Sequence, residues 1–226
     1  MMAKSIAAEN IMAANESNIW LITGGGRSGK SSYAEALARE CVADGHEQGT
    51  TGQGQGTTGQ KRGETKNPGV LYIATGVATD GEMAERIARH QANRPQDWIT
   101  WERYQGFDDI RREFDPASFG TILLDCAANL LMGILYENIP DADDFTSEQF
   151  EQVEQQTINE IDILYEYARE HGKRLIVVTN EIGMGIIPET RYSRYYRDAL
   201  GRINAHAARA ADRAVLMVAG LPLVLK

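Results

Sequence analysis

The sequence predicts an α/β fold in which a doubly wound, mostly parallel sheet carries helices on both faces. Short, uniformly apolar segments alternate with longer segments of helical periodicity, and the last two apolar segments are separated only by a turn at Gly220. Uniformly apolar strands are typical of parallel sheets covered on both sides. The expected strands are residues 20–23, 70–75, 121–125, 175–179 and 214–218, and residues 221–225 complete an antiparallel hairpin. Residues 98–102 are interpreted as a strand or an extended segment.

Helical segments occupy most of the intervals between these strands. They are residues 31–42, 80–90, 107–114, 127–136, 147–171 and 191–211. In the longest of them one stripe is predicted to face the core, formed by Phe150, Val153, Thr157, Ile161, Leu164 and Ala168. In sheets of this class ligands bind at the carboxyl ends of the strands.

A chain of 226 residues fits one domain, which we expect over residues 18–226. Residues 1–17 precede the first strand and are interpreted as a variable extension. Residues 44–68 contain a glycine- and glutamine-rich tract without an apolar anchor, so they are predicted to form a disordered surface insertion.

Composition and the length of the apolar segments argue against several classes of function. A net charge of −9 disfavours a nucleic-acid partner, because such proteins usually carry a basic surface. No segment approaches the roughly 20 apolar residues that span a bilayer, and the first residues lack the apolar core of a signal peptide. Cys41 and Cys126 have no zinc or redox spacing, which indicates reduced thiols. A cytoplasmic location is therefore expected.

Residues 24–31 follow the pattern G-x-x-x-x-G-K-S between the first strand and the first helix. Glycines allow backbone N–H groups to converge on phosphate oxygens, and the helix presents its positive end to them. In such a loop Lys30 contacts the outer phosphates and Ser31 holds Mg²⁺. The context of strand and amphipathic helix makes a chance glycine-rich turn the weaker interpretation. The sequence therefore predicts a nucleotide-binding protein.

Polar residues stand at the carboxyl ends of several predicted strands. Asp125 ends an apolar strand, the position at which phosphate-loop enzymes place a carboxylate that orients Mg²⁺. Thr75, Thr179 and Asn180 stand at two other strand ends. We expect these residues to converge on one site beside the phosphate loop.

Several segments together resemble one known family. They are the phosphate loop GGGRSGKS, YIAT at 72–75, EMAERIARH at 82–90, Arg94 with Pro95, Trp98 with Glu102, LLDC at 123–126, VTNEIGMGIIPE at 178–189, and Arg197, Asp198 and GRIN at 201–204. The chain resembles the bifunctional adenosylcobinamide kinase/adenosylcobinamide-phosphate guanylyltransferases of cobalamin biosynthesis, the CobU/CobP type. The likeness runs from about residue 19 to 226, with residues 44–68 as an interruption.

The resemblance implies a RecA-like phosphate-loop fold, usually a homotrimer, and two successive reactions. A nucleoside triphosphate first phosphorylates the aminopropanol hydroxyl of adenosylcobinamide. GMP is then transferred from GTP to that phosphate through a guanylylated histidine, which corresponds to His90 in this chain. GTP, ATP as an alternative in the first step, and Mg²⁺ are the small molecules expected.

Position alone does not assign a role to His90. It shares a predicted helix face with Met83 and Ile87, so spacing alone fits a histidine at the edge of the core as well as it fits a nucleophile. The resemblance favours the nucleophile. Neutral imidazole is a competent nucleophile near pH 7. His46 falls in the insertion, and His171 and His206 fall on helix surfaces or ends.

Motif and resemblance together define the expected site. The catalytic residues are His90 and Lys30, and the metal ligands are Ser31 and Asp125. The resemblance adds the loop after the second strand, the segment after His90, and Glu102 as an acceptor for guanine or ribose donors. The full expected nucleotide-binding set is Gly24, Gly25, Gly26, Arg27, Ser28, Gly29, Lys30, Ser31, Thr75, Gly76, Val77, Gln91, Ala92, Asn93, Arg94, Glu102 and Asp125.

Two other functions remain open from the residues alone. A GTP-driven switch would read guanine with an N-K-x-D loop, whereas this chain has Thr179-Asn180-Glu181-Ile182 after the corresponding strand. A small-molecule kinase without a covalent intermediate would use Lys30 and Asp125 but would not need His90.

Overall fold

The computed structural model describes residues 19–44, 69–77 and 94–226, together with positions 81, 84, 85, 88 and 91. The predicted extension at 1–17 and most of the predicted insertion at 44–68 lie outside these residues. Seven strands form one sheet: β1 (Ile19–Gly24), β2 (Gly69–Ala74), β3 (Ile99–Glu102), β4 (Phe119–Asp125), β5 (Arg174–Val178), β6 (Arg213–Val218) and β7 (Leu221–Val224).

The strand order is β3-β2-β4-β5-β1-β6-β7. All neighbours pair in parallel except β6 and β7, which are antiparallel. The mostly parallel α/β class and the terminal hairpin are thus confirmed. The residues of β1 are all buried, as are the central residues of β2 and most of β4 and β5, because helices cover both faces.

The helices are α1 (Lys30–Asp44), the short α2 (Ile110–Glu113), α3 (Ala127–Asn138), α4 (Ser147–Glu170) and α5 (Arg191–Ala210). Helix α1 packs against β1, β2, β4 and β5, whereas α4 contacts α3, α5 and β5. The chain moves in one direction across the sheet from β1 to β3 and in the opposite direction from β3 to β7. Because the crossover connections are right-handed, α1 and α4 therefore pack on opposite faces of the sheet.

The predicted stripe of α4 is buried throughout, at Phe150, Val153, Thr157, Ile161, Leu164 and Ala168. Thr146 begins this helix with a capping box, in which its hydroxyl accepts from the N–H of Gln149 and the Gln149 side chain accepts from the N–H of Thr146. The same helix buries Glu160, whose carboxylate accepts the backbone N–H groups of Gly106 and Phe107, each at 2.8 Å. This carboxylate fixes the turn that leads from β3 into a 3-10 turn and α2.

The helix predicted at 80–90 is described at only part of its positions. Gly81, Ala84, Glu85, Ala88 and Gln91 are helical and exposed. Its predicted inner face, at Met83, Ile87 and His90, lies outside the described residues. No helix in the described part of the chain is long and apolar enough to cross a membrane.

Candidate active site

The phosphate loop, residues 24–31, connects β1 to α1 at the carboxyl edge of the sheet. Gly24 has a φ of +151°, and a Cβ there would lie 2.6 Å from the carbonyl oxygen of Met217 on β6, so only glycine fits. The N–H of Gly220, in the turn between β6 and β7, donates to the carbonyl oxygen of Ser28 at 3.1 Å. The turn of the terminal hairpin therefore holds the backbone of the phosphate loop at Ser28.

Within the loop, Gly25, Gly26 and Arg27 are exposed, and Ser28 is buried. The Ser28 hydroxyl has no hydrogen-bond partner among the described residues. Lys30 begins α1 and is only 8% exposed. Its Nζ donates to the carbonyl oxygen of Gly25 at 2.7 Å, which directs the ammonium toward the exposed rim of the loop. A cation and a helix N-terminus at this rim form a site that suits phosphate oxygens.

Asp125 closes β4 and connects the loop to the centre of the sheet. The hydroxyl of Ser31 donates to its Oδ1 at 3.5 Å, and the hydroxyl of Tyr72 donates to its Oδ2 at 2.7 Å. Tyr72 received no role from the sequence. The sequence shows only a tyrosine within an apolar strand, and the strand pairing that brings it to the same face as Asp125 appears in the structure. Burial first, and the charge of Asp125 second, raise the pKa of Tyr72, so its hydroxyl stays protonated and donates.

Ser31 and Asp125 suit the predicted magnesium ion. They bring a hydroxyl and a carboxylate oxygen together beside the phosphate loop, and Mg²⁺ prefers such hard oxygen donors. The described residues contain no cluster of three or more His, Cys, Asp or Glu that could hold a metal.

Three of the residues predicted to line the guanosine region form one cluster at the end of β3. Glu102 accepts a hydrogen bond from the Gln91 amide, and its Oε1 lies 3.8 Å from the Arg94 guanidinium. The Arg94 side chain is 9% exposed, and its Nε has no hydrogen-bond partner among the described residues. The guanidinium carbon lies 4.2 Å from the centre of the Tyr72 ring, a cation–π contact.

This cluster does not lie directly beside the phosphate loop. Four strand spacings separate β3 from β1, which corresponds to about 19 Å across the sheet. Tyr72 and Asp125 occupy the space between, on β2 and β4. The side chains of Arg94, Tyr72, Asp125 and Ser31 therefore form a continuous series from the cluster to the loop.

Two of the strand-end residues use their hydroxyls within the protein, and their expected roles in the site stay predictions. Thr75 is 1% exposed, and its hydroxyl bonds to the backbone of Cys126, accepting from its N–H and donating to its carbonyl oxygen. Thr179 is fully buried and donates its hydroxyl to Asn204. Both threonines use their hydroxyls to fix neighbouring backbone or side chains, because a buried hydroxyl needs a partner. Asp125 contacts the phosphate loop directly, because its carboxylate accepts the Ser31 hydroxyl.

Gly76 and Val77 follow Thr75 in a partly exposed loop, so they remain available to a ligand. His90, Ala92 and Asn93 lie outside the described residues, and their nucleotide roles stay predictions. Burial raises the pKa of Cys126 to about 12, as expected for an unreactive reduced thiol.

The two described histidines occupy structural positions. His206 on α5 is hydrogen-bonded to Asp162 on α4 at 2.7 Å. His171 ends α4 and packs its ring on Tyr167. Neither is part of the site around the phosphate loop.

A long loop follows β5 at residues 179–190 and passes beside the phosphate loop, since the N–H of Glu181 donates to the carbonyl oxygen of Gly24 at 2.9 Å. It exposes four large apolar side chains, and Ile186 is 93% exposed. The others are Ile182, Met184 and Ile187. Such exposure is unusual unless the side chains meet a ligand or another protein surface.

Comparisons with known proteins identify the family to which this chain is similar. A family model described as cobinamide kinase / cobinamide phosphate guanyltransferase matches residues 48–225. The Escherichia coli bifunctional adenosylcobalamin biosynthesis protein CobU is 36% identical over 208 residues, which cover 91% of this chain and 98% of that protein. The Salmonella typhimurium protein of the same name is 35% identical over 210 residues, with the same two coverages.

A third relative carries a different name. The Pseudomonas aeruginosa bifunctional adenosylcobalamin biosynthesis protein CobP is 34% identical over 206 residues, covering 91% of this chain and 96% of that protein. Family model and relatives thus agree over most of the chain and nearly the whole length of the relatives. The chain therefore belongs to the cobinamide kinase / cobinamide phosphate guanyltransferase family.

Proposed function

We propose that this chain phosphorylates adenosylcobinamide and then transfers GMP to the product through a guanylylated His90, giving adenosyl-GDP-cobinamide. Family membership supports the pair of reactions. The observation that carries the nucleotide chemistry is the phosphate loop, in which Lys30 faces the exposed rim and Ser31 meets Asp125. Family resemblance carries the assignment of His90.

In the first reaction the substrate hydroxyl attacks the γ-phosphorus of a nucleoside triphosphate. A P–O bond forms to the substrate, the bond to the β-phosphate oxygen breaks, and the hydroxyl proton is released. Lys30 and the loop amides would stabilise the charge that accumulates on the phosphate oxygens. Mg²⁺, held by Ser31 and Asp125, would neutralise charge on the phosphates. We propose GTP as the donor, with ATP as the alternative.

In the second reaction an imidazole nitrogen of His90 attacks the α-phosphorus of GTP. A P–N bond forms and pyrophosphate leaves with the charge of the broken P–O bond. A phosphate oxygen of adenosylcobinamide phosphate then attacks the same phosphorus, the P–N bond breaks, and the histidine is regenerated. Dividing one transfer into two steps is the advantage of a covalent intermediate.

The test uses Mg²⁺ and GTP labelled at the α-phosphate. We expect protein-bound label that is stable to base and labile to acid, as a phosphoramidate should be. His90→Ala should abolish it, and His206→Ala, the matched control on α5, should retain it. Kinase activity that survives in His90→Ala would fit the proposal. Label that persists in His90→Ala would reject that residue, and GTP binding without any label would favour a kinase or a switch.

We further propose that the exposed loop at 179–190 contacts the corrinoid. Its apolar side chains lie beside the phosphate loop, where the phosphate acceptor must approach, and the corrinoid ring offers a large apolar face. Ile186→Asp should raise the KM for adenosylcobinamide without changing GTP affinity or the mass of the assembly. A change in assembly mass with an unchanged KM would assign the loop to subunit packing.

A homotrimer is the proposed assembly. Its support is an exposed apolar surface at the edge of the sheet, where β7 has no further strand beside it in the described chain. The side chains are Val218, Leu221, Leu223, Val224 and Leu225. Unpaired apolar edges tend to associate. Light scattering should give three times the chain mass of 25.0 kDa.

The surface variant Leu223→Lys should lower this mass, whereas Gln152→Lys on the exposed face of α4 should not. A monomeric wild-type protein would contradict the proposal. The cytoplasmic location stays a prediction.

A further inference from the structure

Tyr72 is buried at the centre of the site, and the sequence assigned it no role. Only 2% of the residue is exposed, and its hydroxyl donates to Oδ2 of Asp125 at 2.7 Å. A buried hydroxyl without a partner is destabilising, so this bond fixes the tyrosine as well as the carboxylate. Tyr72 pairs with Leu123 in the sheet, so Asp125, two residues further on β4, lies on the same face.

The Tyr72 hydroxyl gives the two oxygens of the Asp125 carboxylate different partners. Tyr72 binds Oδ2, and Oδ1 is turned toward the Ser31 hydroxyl at 3.5 Å. An aspartate at the end of a strand can otherwise rotate about its terminal torsion, for which the preferred angles are broad. With Oδ2 held, Oδ1 stays beside Ser31 and the phosphate loop.

The tyrosine ring is itself held on two sides. The Arg94 guanidinium carbon lies 4.2 Å from the ring centre, and the Trp98 ring packs against it with a centroid distance of 6.1 Å. Arg94 is also tied to Glu102 at the end of β3. These contacts restrain the ring, and the restrained ring aims the hydroxyl at Asp125.

We propose that Tyr72 is a positioning residue for the metal-dependent steps, which holds Asp125 so that one carboxylate oxygen faces Ser31 and the metal bound with the nucleotide. The inference rests on the proposed function, because it requires Asp125 and Ser31 to serve a metal-bound nucleotide. Partners that orient a metal ligand typically change metal affinity by roughly 10- to 100-fold when they are removed.

The experiment measures nucleotide binding, so it does not depend on turnover. The probe is α,β-methylene GTP, which cannot transfer GMP, and its Kd is measured at a series of buffered free Mg²⁺ concentrations. Tyr72→Phe removes the hydroxyl and retains the ring that packs on Arg94 and Trp98. Tyr167→Phe is the matched control, because its buried hydroxyl has no hydrogen-bond partner among the described residues and lies away from the site.

In the wild-type protein Mg²⁺ should tighten binding. In Tyr72→Phe we expect the Mg²⁺ concentration for half-maximal tightening to rise about 10-fold, with an unchanged Kd in the absence of metal. Tyr167→Phe should match the wild type in both respects. An unchanged Mg²⁺ requirement in Tyr72→Phe, or an equal loss of affinity with and without Mg²⁺, would overturn the assignment.

A double-mutant cycle with Asp125→Asn separates a positioning role from a general packing role. If Tyr72 acts through the carboxylate, Tyr72→Phe should add no further increase in the Mg²⁺ requirement to Asp125→Asn. Additive effects would contradict the proposal. If the wild-type protein binds the probe without any response to Mg²⁺, the metal-dependent part of the proposed function fails first, and this outcome is distinct from a failure of Tyr72 alone.

Discussion

Gly24 is the residue at which the phosphate loop is most sensitive to a single added methyl group. It ends β1 in register with Met217 on β6, and its carbonyl oxygen accepts the N–H of Glu181. In Gly24→Ala the new Cβ would lie 2.6 Å from the Met217 carbonyl oxygen and 2.7 Å from the Ser28 hydroxyl oxygen. The Ser28 side chain can rotate, but the Met217 carbonyl belongs to a paired strand.

The size of the effect follows from these distances. Moving the Cβ from 2.6 Å to the 3.4 Å at which ordinary contact begins displaces the end of β1 by most of an ångström. Overpacking of this kind typically costs about 1–3 kcal/mol. An alanine at a φ of +151° adds about 1–3 kcal/mol of backbone strain. We therefore expect the free energy of unfolding to fall by about 2–6 kcal/mol, a large share of typical protein stability.

The displacement also reaches the ligand, because the amides of the loop begin at this residue. We expect the affinity for GTP to fall by at least about 10-fold, since roughly 1.4 kcal/mol of lost binding free energy is sufficient. Calorimetric titration with the methylene analogue of GTP measures the affinity, and urea unfolding measures the stability of the same samples.

Gly26→Ala is the matched control, two residues along the same loop. A Cβ at Gly26 would have no heavy atom within 4 Å, so alanine adds a methyl group in open space. This variant should bind GTP within about twofold of the wild type and unfold at the same urea concentration. If Gly24→Ala bound and unfolded like Gly26→Ala, the reasoning from the close approach of Met217 would be refuted.

Three further predictions concern the framework of the fold. Gly133→Ala should lower the free energy of unfolding in urea by about 1–2 kcal/mol, because the new Cβ would lie 2.7 Å from the Tyr104 ring. In a Tyr104→Ala background the same substitution should raise the free energy of unfolding, because alanine has the better helix propensity. Glu160→Ala should cost about 3 kcal/mol by the same measurement, since it leaves two backbone N–H groups without their acceptor, and a loss below about 0.5 kcal/mol would contradict this. Burial raises the pKa of Tyr165 above the ordinary 10.0. The protonated hydroxyl therefore contributes fully to the free energy of unfolding below pH 10, and this contribution is lost as the pH rises above 10. Tyr165→Phe should therefore flatten the decline of the unfolding free energy above pH 10, and an unchanged alkaline slope would count against this cause.

The fold was largely predictable because its signals are local. Uniformly apolar segments marked the strands to within a residue or two, for instance Gly69–Ala74 against the predicted 70–75. The short helix predicted at 107–114 is divided in the structure into a 3-10 turn and the four-residue α2. The carboxylate of Glu160 binds the N–H groups at the start of this turn from a helix more than 50 residues away, a contact that local periodicity does not show.

The candidate site was predictable where one continuous motif supplies it. The phosphate loop, Lys30 and Ser31 follow from spacing, and the position of Asp125 follows from the end of its strand. The hydrogen-bond partners of the Thr75 and Thr179 hydroxyls did not follow, because a threonine at a strand end can face either a ligand or neighbouring protein groups. Which of these occurs depends on neighbouring strands that the sequence does not order.

By itself, the sequence determined the class of the fold, the phosphate loop and the family, since each depends on residues that are close in the chain or on a long series of motifs. Only the tertiary structure decided that Tyr72 binds Asp125, that Arg94 stacks on Tyr72, and that the hairpin turn at Gly220 supports the loop. These contacts join segments that are neighbours in the fold but separated by many residues in the chain. The physical reason is that strand order and side-chain direction are set by packing of the whole sheet, and periodicity along one segment carries no information about its neighbours.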